Sequence, residues 1–462
     1  MNKAIATLTI TSLALAAMLT YGLMGGHTTS AKSAYSPSNL SAAPAAISTA
    51  ATAVQTTTSG IVLPKTPVYA LNADNVISVL VPGTTSFVRL VRVTQTNGNL
   101  IGIDFRVADG KNTSIYALTD VGSIYTINLT ASGLGAATLV SNQTTRFPSG
   151  VQSTFDFNAV LNAIREIGSD TSNYAVVNSG GNLNTTAVQT SLTYGTGDVN
   201  AGKRPHVSAG AYDTNVVGAT TTRYYAIDYD LDTFLTIQPA TAGGSSNTGG
   251  GVLQTLGNLV NTAGQRVNVS STGDVDIYTL STGRNNLVGV SGRTFFTIDL
   301  TKVNPNVPAG SVTNIVTNSI TMPNDSNEMI DIAAAPTSYE AENGTQAGGN
   351  IVEATNLGFS GTGYANFTDN VAGGNTTIQV NQSGAQTLIF RYANGGAVNR
   401  PCTIAVNGTV VGTVAFPPTG SFTTYKTVTL PVTLPTSSAF KAVKITSTTA
   451  AGGPNLDKIN VE

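Results

Sequence analysis

The chain has 462 residues, 10% of them charged, with a formal net charge of −2 at pH 7, so nothing in it supplies the basic footprint that nucleic acid requires. Two histidines and one cysteine exclude a multi-histidine metal centre and an intramolecular disulfide. A hydrophobic share of 41% still permits a buried core and argues against global disorder, and the length suggests two or three domains.

The N-terminus has the layout of an export signal. Lys3 supplies the positive start, Ala4–Met24 is largely apolar, and Thr29-Ser30-Ala31 offers a small-residue cleavage site. Residues 1–31 are therefore expected to be a signal peptide, which makes the chain secreted or cell-surface. The apolar stretch is long for such a signal, so an uncleaved anchor is the alternative. If the leader is cleaved, no membrane span is expected in the mature chain. Residues 32–62 are rich in Ala, Ser and Thr and are expected to be a flexible linker.

Residues 63–335 carry a weak repeat of three or four short strands per unit. One copy starts at Leu100–Arg106 and continues through Ser114–Leu118 and Ile124–Ile127. A second starts at Thr154–Asn158, a third at Ala209–Tyr212, and a fourth at Val267–Val269 followed by Ile277–Leu280 and Thr294–Asp299. All-β units at a period of roughly forty to fifty residues predict a β-propeller. Met329–Ile332 has the pattern of a first strand without partners, while Pro67–Leu71 and Ser86–Val91 have that of later strands without a first. Joining them completes one blade from both ends and gives about five blades with no open edge. An irregular pair of β-sandwiches is the competing arrangement. The phrases Leu100–Arg106, Phe155–Asn158, Ala209–Tyr212 and Tyr224–Asp228 resemble the secreted bacterial domain-of-unknown-function family 4394. That resemblance supports the fold and the location and supplies no chemistry.

Catalytic signals are sparse here. His27 lies in the leader, which leaves His206 for any triad, and no Walker-type or strand-linked glycine motif is present. Asp104 and Asp156 fall at matching repeat positions, and Asp228, Asp230 and Asp232 alternate along one stretch. Paired carboxylates can hydrolyse glycosides, but a residue recurring once per repeat is more simply blade structure, an inter-blade hydrogen bond or a turn.

Residues 337–462 have their own strand rhythm, with Thr377–Val380, Gln386–Tyr392, Cys402–Val406, Lys426–Leu430 and Ala442–Ile445 separated by turns such as Asn407-Gly408. This predicts a β-sandwich, with Cys402 as a small buried hydrophobe. Glu340 and Glu342, two apart on a segment expected to be extended, would project to one side. Asp457 lies at the opposite end of the domain. If the first and last strands pair, three carboxylates can surround a hard cation.

The ordered set Tyr339–Glu342, Gly358–Tyr364, Arg391–Gly395, Val406–Gly408, Thr419–Phe422 and Gly453–Asp457 resembles carbohydrate-binding modules of families 6 and 35, which have a jelly-roll fold. The resemblance implies a structural calcium held by Glu340, Glu342 and Asp457. It also implies sugar contacts from Asn455 and aromatic platforms at Tyr364 and Phe422, the last where the family commonly has Trp. The sequence thus predicts a non-catalytic protein whose calcium-stabilised module docks on polysaccharide or another glycan. The alternatives are a propeller glycoside hydrolase or lyase targeted by the module, and a surface adhesion or matrix protein.

Overall fold

The computed structural model describes residues 61–110, 112–179, 182–238, 250–308, 310–321, 328–367, 372–437 and 439–462. The expected leader and most of the linker lie outside these residues.

The described chain is all-β apart from three short 3-10 turns. In one four-stranded sheet, Met329–Ala334 pairs with Val68–Asn72, followed by Val76–Leu80 and Phe87–Arg92. The two ends of the N-terminal region therefore share a sheet, with Ala70 opposite Ile332. A second sheet runs Leu100–Asp104, Ser114–Thr119, Ser123–Asn128, Ala137–Asn142. A third runs Ser153–Asn158, Ala163–Gly168, Asn173–Ser179, Asn182–Val188.

The next eight strands belong to one larger sheet. Val207–Tyr212, Tyr224–Asp228, Thr233–Ile237 and Val252–Val260 form one half. Asp274–Thr279, Asn285–Ser291, Thr294–Ile298 and Thr313–Thr321 form the other. The outermost strands join in parallel, with Gly257 opposite Thr313. The innermost strands, Val207–Tyr212 and Asp274–Thr279, also pack together, so this sheet nearly closes on itself. Thr193–Tyr194 adds a ninth strand.

The first strands of successive groups are neighbours in cyclic order. Met329–Ala334 packs on Leu100–Asp104, which packs on Ser153–Asn158, then Val207–Tyr212, then Asp274–Thr279, which returns to Met329–Ala334. These strands are buried along nearly their whole length, whereas the outer strands Phe87–Arg92 and Ala137–Asn142 are half exposed. Near-continuous apolar runs are what a strand covered on both faces requires; alternation suits a strand with one wet face.

The fourth repeat differs from expectation. Val267–Val269 is not a strand; the first strand there is Asp274–Thr279, and Asn285–Ser291 is a strand the pattern did not mark. Val269 instead donates its amide to Asp232 Oδ1 at 2.9 Å, so this apolar pair closes a connecting loop.

The C-terminal part is a β-sandwich. One sheet contains Ile351–Glu353, Tyr364–Asn366, Asn455–Val461, Gly384–Ala393 and Lys426–Leu434, with Ser338–Glu340 added against Asn455–Val461. The other contains Thr345–Ala347, Asn375–Val380, Lys441–Ser447, Cys402–Val406 and Thr409–Val414. Between them Phe416 meets Phe390 and Tyr392 edge-on, with ring centres 5.8 and 4.9 Å away, a favoured arrangement of ring quadrupoles. Cys402 is fully buried in this core, and burial pushes its thiol up to about 12, which leaves it inert. Asn407 and Gly408 have φ of 48° and 83° and turn the chain between Cys402–Val406 and Thr409–Val414. Both angles lie in the left-handed region that an Asn-Gly hairpin supplies at low cost.

Candidate functional site

The first and last strands of the sandwich lie side by side, as the carboxylate argument required: Tyr339 is opposite Ile459 and Glu340 opposite Lys458. The premise of an extended glutamate pair fails, however. The strand ends at Glu340, and Glu342 sits on the 3-10 turn Ala341–Asn343. The two carboxylates still reach one loop, residues 360–362, because that loop wraps around both. Ser360 Oγ donates to Glu340 Oε2 at 2.9 Å and to Asp457 Oδ2 at 3.0 Å, and its amide donates to Asp457 Oδ1 at 2.7 Å. Thr362 donates its amide to Glu342 Oε1 at 2.9 Å. Gly361, at φ 70°, fits because a Cβ there would lie 2.3 Å from Glu342 Oε1.

Two oxygens of this group, Glu340 Oε1 and Glu342 Oε2, are buried without a hydrogen bond. Lys458 Nζ stands 3.6 Å from Glu340 Oε1, and Arg391 forms an ion pair with Asp457 Oδ2. Burial pushes the Glu340 carboxyl up to about 7, opposed by Lys458 and reinforced by Asp457 and Glu342. Buried carboxylate oxygens are costly unless a proton or cation meets them; Lys458 and Arg391 meet Glu340 and Asp457, and Glu342 Oε2 is left with no partner. If calcium binds, Glu340, Glu342 and Asp457 are the residues that would hold it. Ser360 and Arg391 lie inside the sequence motifs, but composition and spacing gave no sign of their contacts with these carboxylates.

The three residues expected to meet sugar have different surroundings. Tyr364 is wholly buried, its hydroxyl bonded to Glu353 Oε2 at 3.0 Å and to Asn356 Nδ2 at 2.8 Å, and its ring 5.9 Å from that of Phe359. A stacking platform must expose a face, so the platform assignment of Tyr364 is corrected: its ring packs inside the module. Phe422 is half-buried, lying against Gly395 with the Arg400 guanidinium 5.5 Å from its ring centre. Asn455 is buried at the start of the last strand, opposite Ala393 on one side and Asn366 on the other, and its Nδ2 donates to nothing. Arg400 also donates to Gly453 O at 3.0 Å. Phe422, Arg400 and the Gly453–Asn455 segment therefore belong to one end of the sandwich.

The recurrent aspartates of the N-terminal sheets have a structural use. Asp104 Oδ2 accepts from Phe157 N at 2.7 Å, Asp156 Oδ1 from Tyr212 N at 2.9 Å, Asp276 Oδ2 from Ala334 N at 2.5 Å, and Asp331 Oδ1 from Ile103 N at 2.8 Å. Each first strand is thus laced to the next. Val207–Tyr212 carries Gly210 in place of an aspartate, and Asp274 reaches back to the Gly210 amide at 3.1 Å. Among the described residues one group of three carboxylates has oxygens all within 4.8 Å: Asp104, Asp156 and Asp276. All three are buried, so a sugar has no access to them. His206 pairs with Asp230 at 2.5 Å, and Asp228 Oδ1 caps a turn by accepting from the amides of Asp230 and Leu231 at 3.0 and 3.1 Å.

These features define an all-β protein that carries a carbohydrate-binding module at its C-terminal end. Residues 77–322 match the Domain of unknown function (DUF4394); the match covers more than half of the chain, and the protein belongs to that family. Residues 372–461 match the CBM13 domain of alpha-galactosidase. Over 129 residues the chain is 40% identical to the exo-beta-D-glucosaminidase of Amycolatopsis orientalis, covering 27% of this chain and 12% of that enzyme. Over 114 residues it is 40% identical to endo-1,4-beta-xylanase B of Cellvibrio japonicus (strain Ueda107), covering 24% and 18%. The chain thus spans less than a fifth of either relative. A family 35 carbohydrate binding module from Clostridium thermocellum is 36% identical, with 27% of this chain and 95% of that chain covered and a TM-score of 0.25. The kinship of the module rests on the family match and on sequence identity.

Proposed function

We propose that this is an exported, non-catalytic glycan-binding protein whose C-terminal sandwich, residues 337–462, holds a structural calcium and docks on polysaccharide. The carrying observation is the half-buried Phe422 ring, set beside Arg400 at the end of the sandwich where the Gly453–Asn455 segment begins the last strand. Phe422 supplies the half-exposed apolar surface for a sugar ring. Glu340 and Asp457 lie on the strand pair that includes Asn455, and Glu342 on the 3-10 turn that follows, so a calcium there would fix the end of the binding strand and do no chemistry.

In this proposal residues 63–335 are a five-bladed propeller. The cyclic packing of the five first strands and the shared sheet of Met329–Ala334 with Val68–Asn72 support it. Residues 1–31 are a signal peptide and 32–62 a linker. The test is calorimetric titration of the full chain, with calcium present, against plant, fungal and bacterial polysaccharides, beside an Asn455→Ala variant. Binding by the wild type and its loss in the variant are expected. Absence of binding to every polysaccharide would sink the proposal.

A further inference from the structure

Five aspartates line the inner strands of the ring: Asp104, Asp156, Asp274, Asp276 and Asp331, none more than 3% exposed. Among the described residues, none forms an ion pair with a lysine or arginine. Backbone amides orient them, and those amides neutralise no net charge. Asp104 and Asp276 also accept from their own following amides, Phe105 N at 2.6 Å and Ile277 N at 2.5 Å. Such lacing fixes the carboxylates in place, and each oxygen keeps a second lone pair for another partner.

Two separate observations point to that partner. The first is spacing: oxygens of Asp104, Asp156 and Asp276 lie within 4.8 Å of one another. Oxygen ligands stand 2.3–2.6 Å from calcium, so opposed ligands of one ion are up to about 5 Å apart. The second is Asp331. It is fully buried, its Oδ1 is used by Ile103 N, and its Oδ2 has no hydrogen-bond partner. The Asp331 carboxyl meets that of Asp274 and lies close enough to the cluster for the charges of Asp104 and Asp276 to act on it.

We propose that Asp104, Asp156 and Asp276, with Asp331 beside them, hold a hard divalent cation of calcium's class at the centre of the sheet ring. Three carboxylates from three different sheets meet there, so the ion would tie together strands far apart in sequence. The site shares no residue with the sandwich and does not rest on glycan binding.

The experiment uses the full chain. Protein is stripped with chelator, then titrated with calcium at 0.1 M salt, and bound metal is counted by elemental analysis. The wild type, Asp156→Asn and Glu342→Gln are compared. In Asp156→Asn the new side-chain carbonyl can still accept from Tyr212 N, so the fold is expected to survive while calcium affinity at the ring falls at least tenfold. Glu342→Gln keeps the ring equivalent and loses the sandwich one. A Glu342→Gln protein that binds no calcium overturns the proposal, and so does an Asp156→Asn protein that binds as much as the wild type. Should Asp156→Asn fail to fold, the count on Glu342→Gln decides: one equivalent supports the ring site, none refutes it. A wild type with one equivalent, kept in Glu342→Gln and lost in Asp156→Asn, would uphold the ring site and discard the sandwich calcium.

Discussion

Glu166 gives the sharpest stability prediction. It lies on Ala163–Gly168 opposite Phe155 and Tyr174 and is fully buried. Gln143 Nε2 donates to its Oε1, while Glu166 Oε2 and Gln143 Oε1 both lack partners. Burial pushes the carboxyl from 4.5 up to about 8, with the Gln143 bond acting weakly against it. The folded state therefore holds this proton more tightly than the unfolded chain. Stability from this group is complete below pH 4.5 and is lost as pH rises through 8. The slope is about 1.4 kcal/mol per pH unit, roughly 3–5 kcal/mol over the window. Glu166→Gln has no proton to lose, and its amide can donate toward Gln143 Oε1, which satisfies both orphaned positions. Urea unfolding with chelator present, at pH 5, 6.5 and 8, should give near-equal midpoints at pH 5 and a variant about 2–4 kcal/mol more stable at pH 8. The buried aspartates titrate in both proteins, so the difference isolates Glu166. Parallel pH profiles, or a variant less stable at pH 8, would refute the reasoning.

Chelation should lower the melting temperature of the calcium-loaded chain: a ligand at a hundred times its Kd stabilises by about 2.7 kcal/mol, and a scan with and without chelator checks this. Gly361→Ala places a Cβ 2.3 Å from Glu342 Oε1 at a φ of 70°, so the carboxylate must move; calcium affinity at the sandwich should fall about tenfold or more, measured by titration, with the ring equivalent unchanged. Asn455→Ala should abolish glycan binding while the variant still unfolds cooperatively, checked by titration beside a thermal scan, since the Nδ2 it removes bonds to nothing in the free protein. Gly102→Ala would bring a Cβ within 2.5 Å of Phe155 Cβ, between two inner strands. It should cost about 1–3 kcal/mol or more in urea unfolding; a neutral result would mean the two strands can separate.

Much of the architecture was legible because strand periodicity and turn chemistry act locally. Met329–Ile332 and Pro67–Leu71 each had half of a sheet's pattern, and they pair in the structure. The inter-strand role of Asp104 and Asp156 followed from their recurrence. The fourth repeat was misplaced because Val267 and Val269 have the same apolar alternation as a strand, and only the tertiary bond from Val269 to Asp232 marks them as a loop. The extended spacing expected of the sandwich glutamates fails, because the strand ends at Glu340 and Glu342 reaches the same loop from a 3-10 turn. Tyr364 was misjudged because burial depends on which partners a ring finds, here Phe359 and Glu353, and a short motif does not encode that. The aspartate cluster was illegible as a cluster: its members are up to 227 positions apart, a separation only ring closure removes.

The contacts between sandwich and ring bear on what glycan docking would do. Gln382 is fully buried and donates to Thr66 Oγ1 at 3.2 Å and Pro336 O at 3.0 Å, while its Oε1 accepts from Tyr339 Oη at 2.7 Å. Gln386 donates to Lys65 O at 3.3 Å, Asn112 to Ser338 O at 3.0 Å, and Thr337 to Thr279 O at 2.8 Å. A module on a flexible tether samples many orientations and only raises local concentration. Here buried amides from both parts must find new partners before the parts can turn, at about 1–3 kcal/mol for each one left unsatisfied. Thr337, which bonds to the ring, leads directly into the strand Ser338–Glu340 that carries one of the three sandwich carboxylates. The physical consequence is a fixed attitude: a glycan held near Asn455 would present the ring to its surroundings in one orientation.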